Sequence, residues 1–192
     1  MINRNFFFDN ARRVLFDTKM SQGQVSGISA ILDEWEANHS TKDDRWLAYM
    51  LATTHHETDR TMTPIEEYGK GKKYRYGKCC KLDGKPYTDT TAIFYGRGFV
   101  QLTWYENYQK AGKKLGVDLL QHPELALTLP VATRILFAGM MDGWFTGKKL
   151  GDYFNSNKED WVNARRIING IDRAQLISSY AMKYYGSLSH TV

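Results

Sequence analysis

Apolar positions recur along most of this chain with a helical period, interrupted by one long irregular stretch. Ser21 followed by Gln24 is a capping-box pattern, and Val25, Ile28, Leu32 and Trp35 continue behind it at helical spacing. A second helix is predicted over residues 44–57, with Leu47, Met50, Leu51 and Thr54 as its apolar line. From Thr58 to Tyr95 the period is lost and Gly69, Gly71, Gly77 and Gly84 punctuate the chain. Asp83-Gly84, between Lys81-Leu82 and Lys85-Pro86-Tyr87, predicts a β-hairpin with long loops. Thr103 and Glu106 form a second capping box that opens the next helix, and Gly116 is its stop. Pro130 opens a long apolar helix to about Phe145, carrying Ile135, Leu136, Met140 and Trp144. Residues 146–157 are polar and glycine-bearing, a linker or small lobe, and helices over 159–168 and 172–185 finish the chain. The expected class is mainly α with one small β region.

Length and charge narrow the picture. A chain of 192 residues suits one domain, with room for a small helical lobe or insertion within about 110–160. The net charge of +5 is concentrated: Lys70, Lys72, Lys73, Arg75, Lys78 and Lys81 carry six basic groups with no acid among them. Such a patch suits a polyanion, whether nucleic acid, an anionic membrane or an acidic wall polymer, or is simply a solvated loop. Aromatic residues reach 14%, with 12 Tyr, which fits either rings in a binding groove or tyrosines on half-buried helices. The two cysteines, Cys79 and Cys80, are adjacent, a placement that rarely permits a bridge and that suggests a reducing compartment. Residues 1–16 lack the apolar run of a secretion signal, so a target outside the cytoplasm would need another export device.

The candidate chemistry centres on Glu57. It lies ten residues after Leu47 and seven after Met50, on the helix face that should be buried. A carboxylate there is costly unless it is paired or opens onto a cleft. Desolvation would favour the protonated form that a general acid needs, and the helix C-terminus acts in the same direction. A structural ion pair with Arg60, Arg97 or Arg173 is the competing reading. A glycosidase needs a second carboxylate, and Glu66 and Glu67 follow nine and ten residues later, with nothing in the spacing to choose between them. Thr103 is an N-cap candidate whose hydroxyl could instead hold a water, while Gln101 and Asn107 could offer amides to a sugar. His55-His56-Glu57 fails as a zinc motif because Arg60 stands where the second histidine of H-E-x-x-H belongs. The chain also lacks a Walker loop, a nucleophile elbow and a dinucleotide fingerprint, so neither metal nor cofactor is expected.

These residues resemble a known family. His56-Glu57-Thr58 at a helix end resembles the H-E-T motif of glycoside hydrolase family 19, the plant-chitinase-type enzymes. Tyr95-Gly96-Arg97-Gly98-Phe99-Val100-Gln101-Leu102-Thr103-Trp104 resembles its Y-G-R-G-x-x-Q-L-[ST]-W signature, and Ile168-Asn169-Gly170 its later I-N-G element. Phe7-Phe8 and Ser21-Gln22-Gly23-Gln24 are more like the bacteriophage endolysin branch. The resemblance implies a lysozyme-like, mainly helical fold with two lobes flanking a substrate groove, and no separate wall-binding domain. It implies an inverting hydrolase in which Glu57 is the acid, Glu66 the base with Glu67 in reserve, and Thr103 a holder of the attacking water. Tyr95, Gln101, Asn107, Asn169 and Arg173 would contact sugar. For the endolysin branch the substrate is peptidoglycan, cut by a monomer with no specific nucleic-acid partner; a chitinase of the same family and a non-catalytic polyanion-binding module are the alternatives. The basic patch over residues 70–81 would hold the anionic envelope, and release to the wall would follow through a holin-type pore. Inversion predicts carboxyls roughly 6.5–9.5 Å apart, and a retaining enzyme about 5 Å.

Overall fold

The computed structural model describes residues 1–190. Among the described residues six α-helices carry the fold: α1 Arg4–Leu15, α2 Gln22–Asn38, α3 Asp44–Glu57, α4 Tyr105–Leu115, α5 Leu129–Asp142 and α6 Ala174–Tyr185. The strands are only two residues long: β1 Ile65–Glu66 pairs antiparallel with β2 Arg97–Gly98, and β3 Phe154–Asn155 with β4 Lys158–Glu159. The class is mainly α, as the periodicity predicts.

Helix α3 is the hub. Every residue from Leu47 to His55 is buried, so the helix is enclosed on all sides rather than on the single face the apolar line suggested. It packs chiefly against α6, and also against α2 and α5. Its N-terminus is capped by Asp43, whose carboxylate accepts from the Arg45 amide at 3.0 Å. At its other end Thr58 closes the helix twice: its amide and its hydroxyl both donate to Thr54 O, at 3.0 and 2.7 Å. The same Thr58 oxygen accepts from the Met62 amide at 3.0 Å and folds the chain back. The predicted capping box of α2 is present, and Gln24 also donates to Arg60 O at 2.9 Å. Gly27 on α2 admits the Met62 carbonyl so closely that a Cβ would lie 1.7 Å from its oxygen. Two elements are thus fixed against the turn that follows Glu57.

Several elements differ from the sequence reading. Helix α1 is not evident in the Phe6-Phe7-Phe8 run, because its buried stripe is Phe7, Ala11 and Leu15. Helix α5 ends three residues early, where Gly143 caps it in the left-handed region at φ 71°. Gly116 does stop α4 in that way, at φ 66°. Thr103 does not cap α4: Trp104 occupies the cap with φ 76° and no side-chain bond, and turns the chain between Thr103 and the helix. Glu106 accepts instead from the Leu82 amide at 2.8 Å. The Asp83-Gly84 turn exists, but only one bridge, Cys80 with Pro86, pairs across it. The ladder near the site joins β1 to β2, segments thirty residues apart that no local turn signal connects. Residues 146–157 are no solvated linker, since Leu150, Tyr153 and Phe154 are buried. A 3-10 turn, Asn163–Ile167, replaces most of the helix expected there.

Candidate active site

Helix α3 leaves the core at Glu57, and the chain reverses over Asp59, Arg60 and Met62, all in the left-handed region. The reversal brings β1 back across the helix end. Between them lies a cleft of about 310 Å³ lined by His56, Glu57, Asp59, residues 65–68, Tyr74 and Gln101. Glu57 and Glu66 both face it, as the paired-carboxylate reading requires.

Glu57 is held by a buried arginine, and Glu66 by a tyrosine and a lysine with a second buried arginine close by. Glu57 Oε1 accepts from Arg165 Nη1 at 2.6 Å. Arg165 sits in the Asn163–Ile167 turn, is buried, and also donates from Nε to Asp172 O at 3.1 Å. Glu57 Oε2 accepts no hydrogen bond among the described residues. The ion-pair reading of Glu57 was therefore right about an arginine and wrong about which: Arg60 pairs with Asp17 at 2.7 Å, Arg97 lies beside Glu66, and Arg173 makes no ion pair among the described residues. Arg165 went unnoticed because it lies outside every recognisable motif.

Glu66 has partners on both oxygens. Tyr95 donates its hydroxyl to Oε1 at 2.5 Å, Arg97 Nε stands 3.9 Å from the same oxygen, and Lys70 Nζ reaches Oε2 at 2.8 Å. Lys70, then the Tyr95 hydroxyl, hold the Glu66 carboxyl below the usual carboxylate range, against the opposing effect of burial. Glu67 is turned to structural work. Its Oε2 accepts from the Gly96 amide at 3.0 Å and its Oε1 from the Tyr76 hydroxyl at 3.0 Å.

The long signature over residues 95–104 proves to be a clamp on β1. Tyr95 bonds Glu66 with Arg97 3.9 Å from the same oxygen, Gly96 bonds Glu67, and Gln101 Nε2 donates to Ile65 O at 3.2 Å and Gly98 O at 3.3 Å. The Arg97 guanidinium lies 3.6 Å from the centre of the Tyr95 ring and donates to Ile93 O and the Tyr108 hydroxyl. Tyr95 and the Gln101 amide nitrogen are thus engaged with the protein rather than offered to a sugar. Thr103 Oγ1 donates to Gln101 O at 2.7 Å, and Asn107 Nδ2 donates to Thr103 O at 2.8 Å, so both brace the clamp from behind. Asn169 is exposed, its Oδ1 accepting from the Gly170 amide at 2.8 Å. Arg173 lines a neighbouring hollow with Val162, Asn163, Arg166 and Ile171, outside the Glu57–Glu66 cleft.

The adjacent histidines part company. His55 is buried among Phe16, Tyr180 and Tyr184, with Nδ1 3.0 Å from the Tyr184 hydroxyl. Burial, reinforced by Arg60, His56 and Lys183, pushes its pKa down to about 4. His56 faces the cleft, and burial lowers its pKa while the Glu57 charge opposes the shift. The tyrosines divide too: Tyr49, Tyr108 and Tyr184 are core, while Tyr68 and Tyr74 are exposed on the cleft rim. Cys79 and Cys80 are free thiols.

The model of the glycosidase family described as chitinase class I matches residues 30–151. The chain belongs to glycoside hydrolase family 19. The family 19 match takes in Glu57, Glu66, Gln101, Thr103 and Asn107, and stops before Arg165, Asn169 and Arg173. Endochitinase A2 of Pisum sativum is 34% identical over 112 residues, 53% of this chain and 32% of that protein. Chitinase 8 of Oryza sativa subsp. japonica is 37% identical over 84 residues, 44% of this chain and 30% of that one. This chain therefore matches about a third of the length of these plant relatives. In fold it is similar to chitinase C from Streptomyces griseus HUT6037, with a TM-score of 0.63 at 22% identity over 95% of this chain and 75% of that chain. A family GH19 class IV chitinase from Zea mays gives 0.59 at 16% identity over 93% and 90%. The lysozyme-like family 19 fold is thereby matched along nearly the whole chain.

Proposed function

We propose that this protein is a glycoside hydrolase that cleaves the β-1,4 glycan of bacterial peptidoglycan with inversion, acting as an endolysin. The observation that carries the hydrolase reading is that Glu57 and Glu66 line one cleft, the first oriented by the buried Arg165 and the second by Tyr95 and Lys70. Glu57, with Oε2 open, protonates the glycosidic oxygen as the bond to the anomeric carbon breaks. Glu66 takes a proton from a water that attacks that carbon from the opposite face, so the anomeric configuration inverts. Gln101 and Thr103 contribute by fixing β1, and the exposed Asn169 and the nearby Arg173 are left for the outer parts of a long glycan.

Peptidoglycan is favoured over chitin by charge. The segment that borders the cleft exposes Lys70, Lys72, Lys73, Arg75 and Lys78, and peptidoglycan carries lactyl-peptide carboxylates that chitin lacks. An enzyme of this kind, made in a host cytoplasm as a monomer, would meet the wall in the periplasm after release through a membrane pore. The second reading, a chitinase, is favoured by the names of the relatives. Glu57→Gln protein applied to permeabilised Gram-negative cells tests the assignment: lysis should stop, and lysis at the wild-type rate would refute it. Product release from purified peptidoglycan against chitin oligomers separates the two substrates.

A further inference from the structure

Glu66 has an arrangement that a general base does not need and that the assigned reaction leaves unexplained. The turn Glu67-Tyr68-Gly69-Lys70, closed by the Lys70 amide on Glu67 O at 3.0 Å, curls the chain so that the Lys70 ammonium returns onto Glu66 Oε2. The other oxygen, Oε1, points into the protein, toward Tyr95 and Arg97. Oε2 is therefore the oxygen available to a water in the cleft, and Lys70 sits on it. An oxygen already paired with an ammonium takes a proton less readily, because the ammonium stabilises the charged carboxylate. Tyr95 and Arg97 cannot give way, being 7% and 6% exposed, whereas the Lys70 side chain is 59% exposed. Lys70 is the partner that can leave. An exposed pair is weakly held and screened by solvent, so an incoming carboxylate competes for the ammonium on even terms. A neutral glycan brings no such competitor.

We propose that Lys70 is a specificity-determining latch on Glu66, drawn off the base by a carboxylate of an acidic glycan and left in place by a neutral one. The proposal rests on Glu66 as the base and deepens the substrate assignment of that same cleft. It makes charge on the substrate act on the catalytic step as well as on capture. Lys72, Lys73, Arg75 and Lys78 on the same loop gather an anionic glycan, and Lys70 alone among them touches a catalytic carboxylate.

The experiment compares wild type with Lys70→Ala, Lys70→Arg, Lys72→Ala and Glu66→Gln on purified peptidoglycan and on neutral chitin oligomers. Removing the latch should raise kcat/KM on the neutral oligomer by about three- to fivefold, the scale of one exposed charge pair, and lower it on peptidoglycan by a similar factor. Lys70→Arg should keep the wild-type preference. Lys72→Ala, which removes an equal charge from the same loop, should lower capture of peptidoglycan without raising kcat/KM on the neutral substrate. Lys70→Ala should also move the acid limb of the pH profile on the neutral oligomer upward, because Tyr95 and Arg97 then face Glu66 without the lysine. If Lys70→Ala matches Lys72→Ala on both substrates while Glu66→Gln is inactive, the latch is wrong and the base assignment stands. If Glu66→Gln still turns over either substrate at the wild-type rate, the base assignment fails and the latch with it.

Discussion

Arg165 Nη1 lies 2.6 Å from Glu57 Oε1, tying the end of α3 to a short 3-10 turn 108 residues later in the chain. The pair is mostly shielded from water, with side-chain exposures of 4% for the arginine and 16% for the glutamate. It fixes the carboxyl by one oxygen and leaves the other for the cleft.

Arg165→Ala strands the Glu57 carboxylate and the Asp172 carbonyl, and should destabilise the fold by on the order of 3 kcal/mol. Arg165→Lys keeps the charge but not the planar fork that spans both acceptors. It should retain most of the stability and lose kcat with little change in KM, since an interaction that aims the acid acts on the chemical step. Urea unfolding and steady-state kinetics on the same preparations check both halves.

Glu66 and Glu67 should separate by kind of defect. Glu66→Gln is expected to lower kcat by about 10²–10⁴-fold, the usual reach of a general base, and also to lower the melting temperature, because Tyr95 and Lys70 lose a charged acceptor. Glu67→Gln weakens acceptors for the Gly96 amide and the Tyr76 hydroxyl, so its melting temperature should fall while kcat drops less than about tenfold. Kinetics together with thermal unfolding decide the matter, and the reverse pattern would transfer the base to Glu67.

How far these residues were legible in sequence follows the range of the interactions. Local signals held: the α2 capping box is made by side chains three residues apart, and α3 ends where its pattern ends. Local signals also misled where the backbone left the ordinary regions. Thr103 and Glu106 have capping-box spacing, but Trp104 at φ 76° breaks the geometry that spacing assumes. Phe7, Ala11 and Leu15 hid α1 because an alanine interrupts the bulky stripe. The two carboxylates of the cleft were visible because both flank one helix end. Their arginines were not, because Arg165 reaches Glu57 from the far end of the chain, and Arg97 reaches Glu66 only once β1 and β2 pair. The long motif was recognisable well before its work was, since clamping β1 needs a tertiary contact.

His55 supplies a pH signature independent of activity. Its pKa is pushed down to about 4 by burial, against about 6.5 for an exposed histidine in the unfolded chain. Between those values the unfolded chain binds the extra proton, so stability is full above about pH 6.5 and is lost as pH falls toward 4. The loss should approach about 3 kcal/mol over that window. His55→Phe should flatten this part of the stability profile, with His56, shifted in the same direction, leaving a smaller residual slope. Denaturant unfolding at pH 7, 5.5 and 4.5 in both proteins reads the difference.

Inverting hydrolysis of a β-1,4 glycan by Glu57 and Glu66 is read straight from the product as it forms. Purified peptidoglycan is digested by wild type and by Glu57→Gln, with fragments identified by mass spectrometry and the first-formed anomer by NMR. New reducing ends should appear first as the α-anomer, with no fragments from Glu57→Gln. First appearance of the β-anomer, or equal fragmentation by Glu57→Gln, would contradict it.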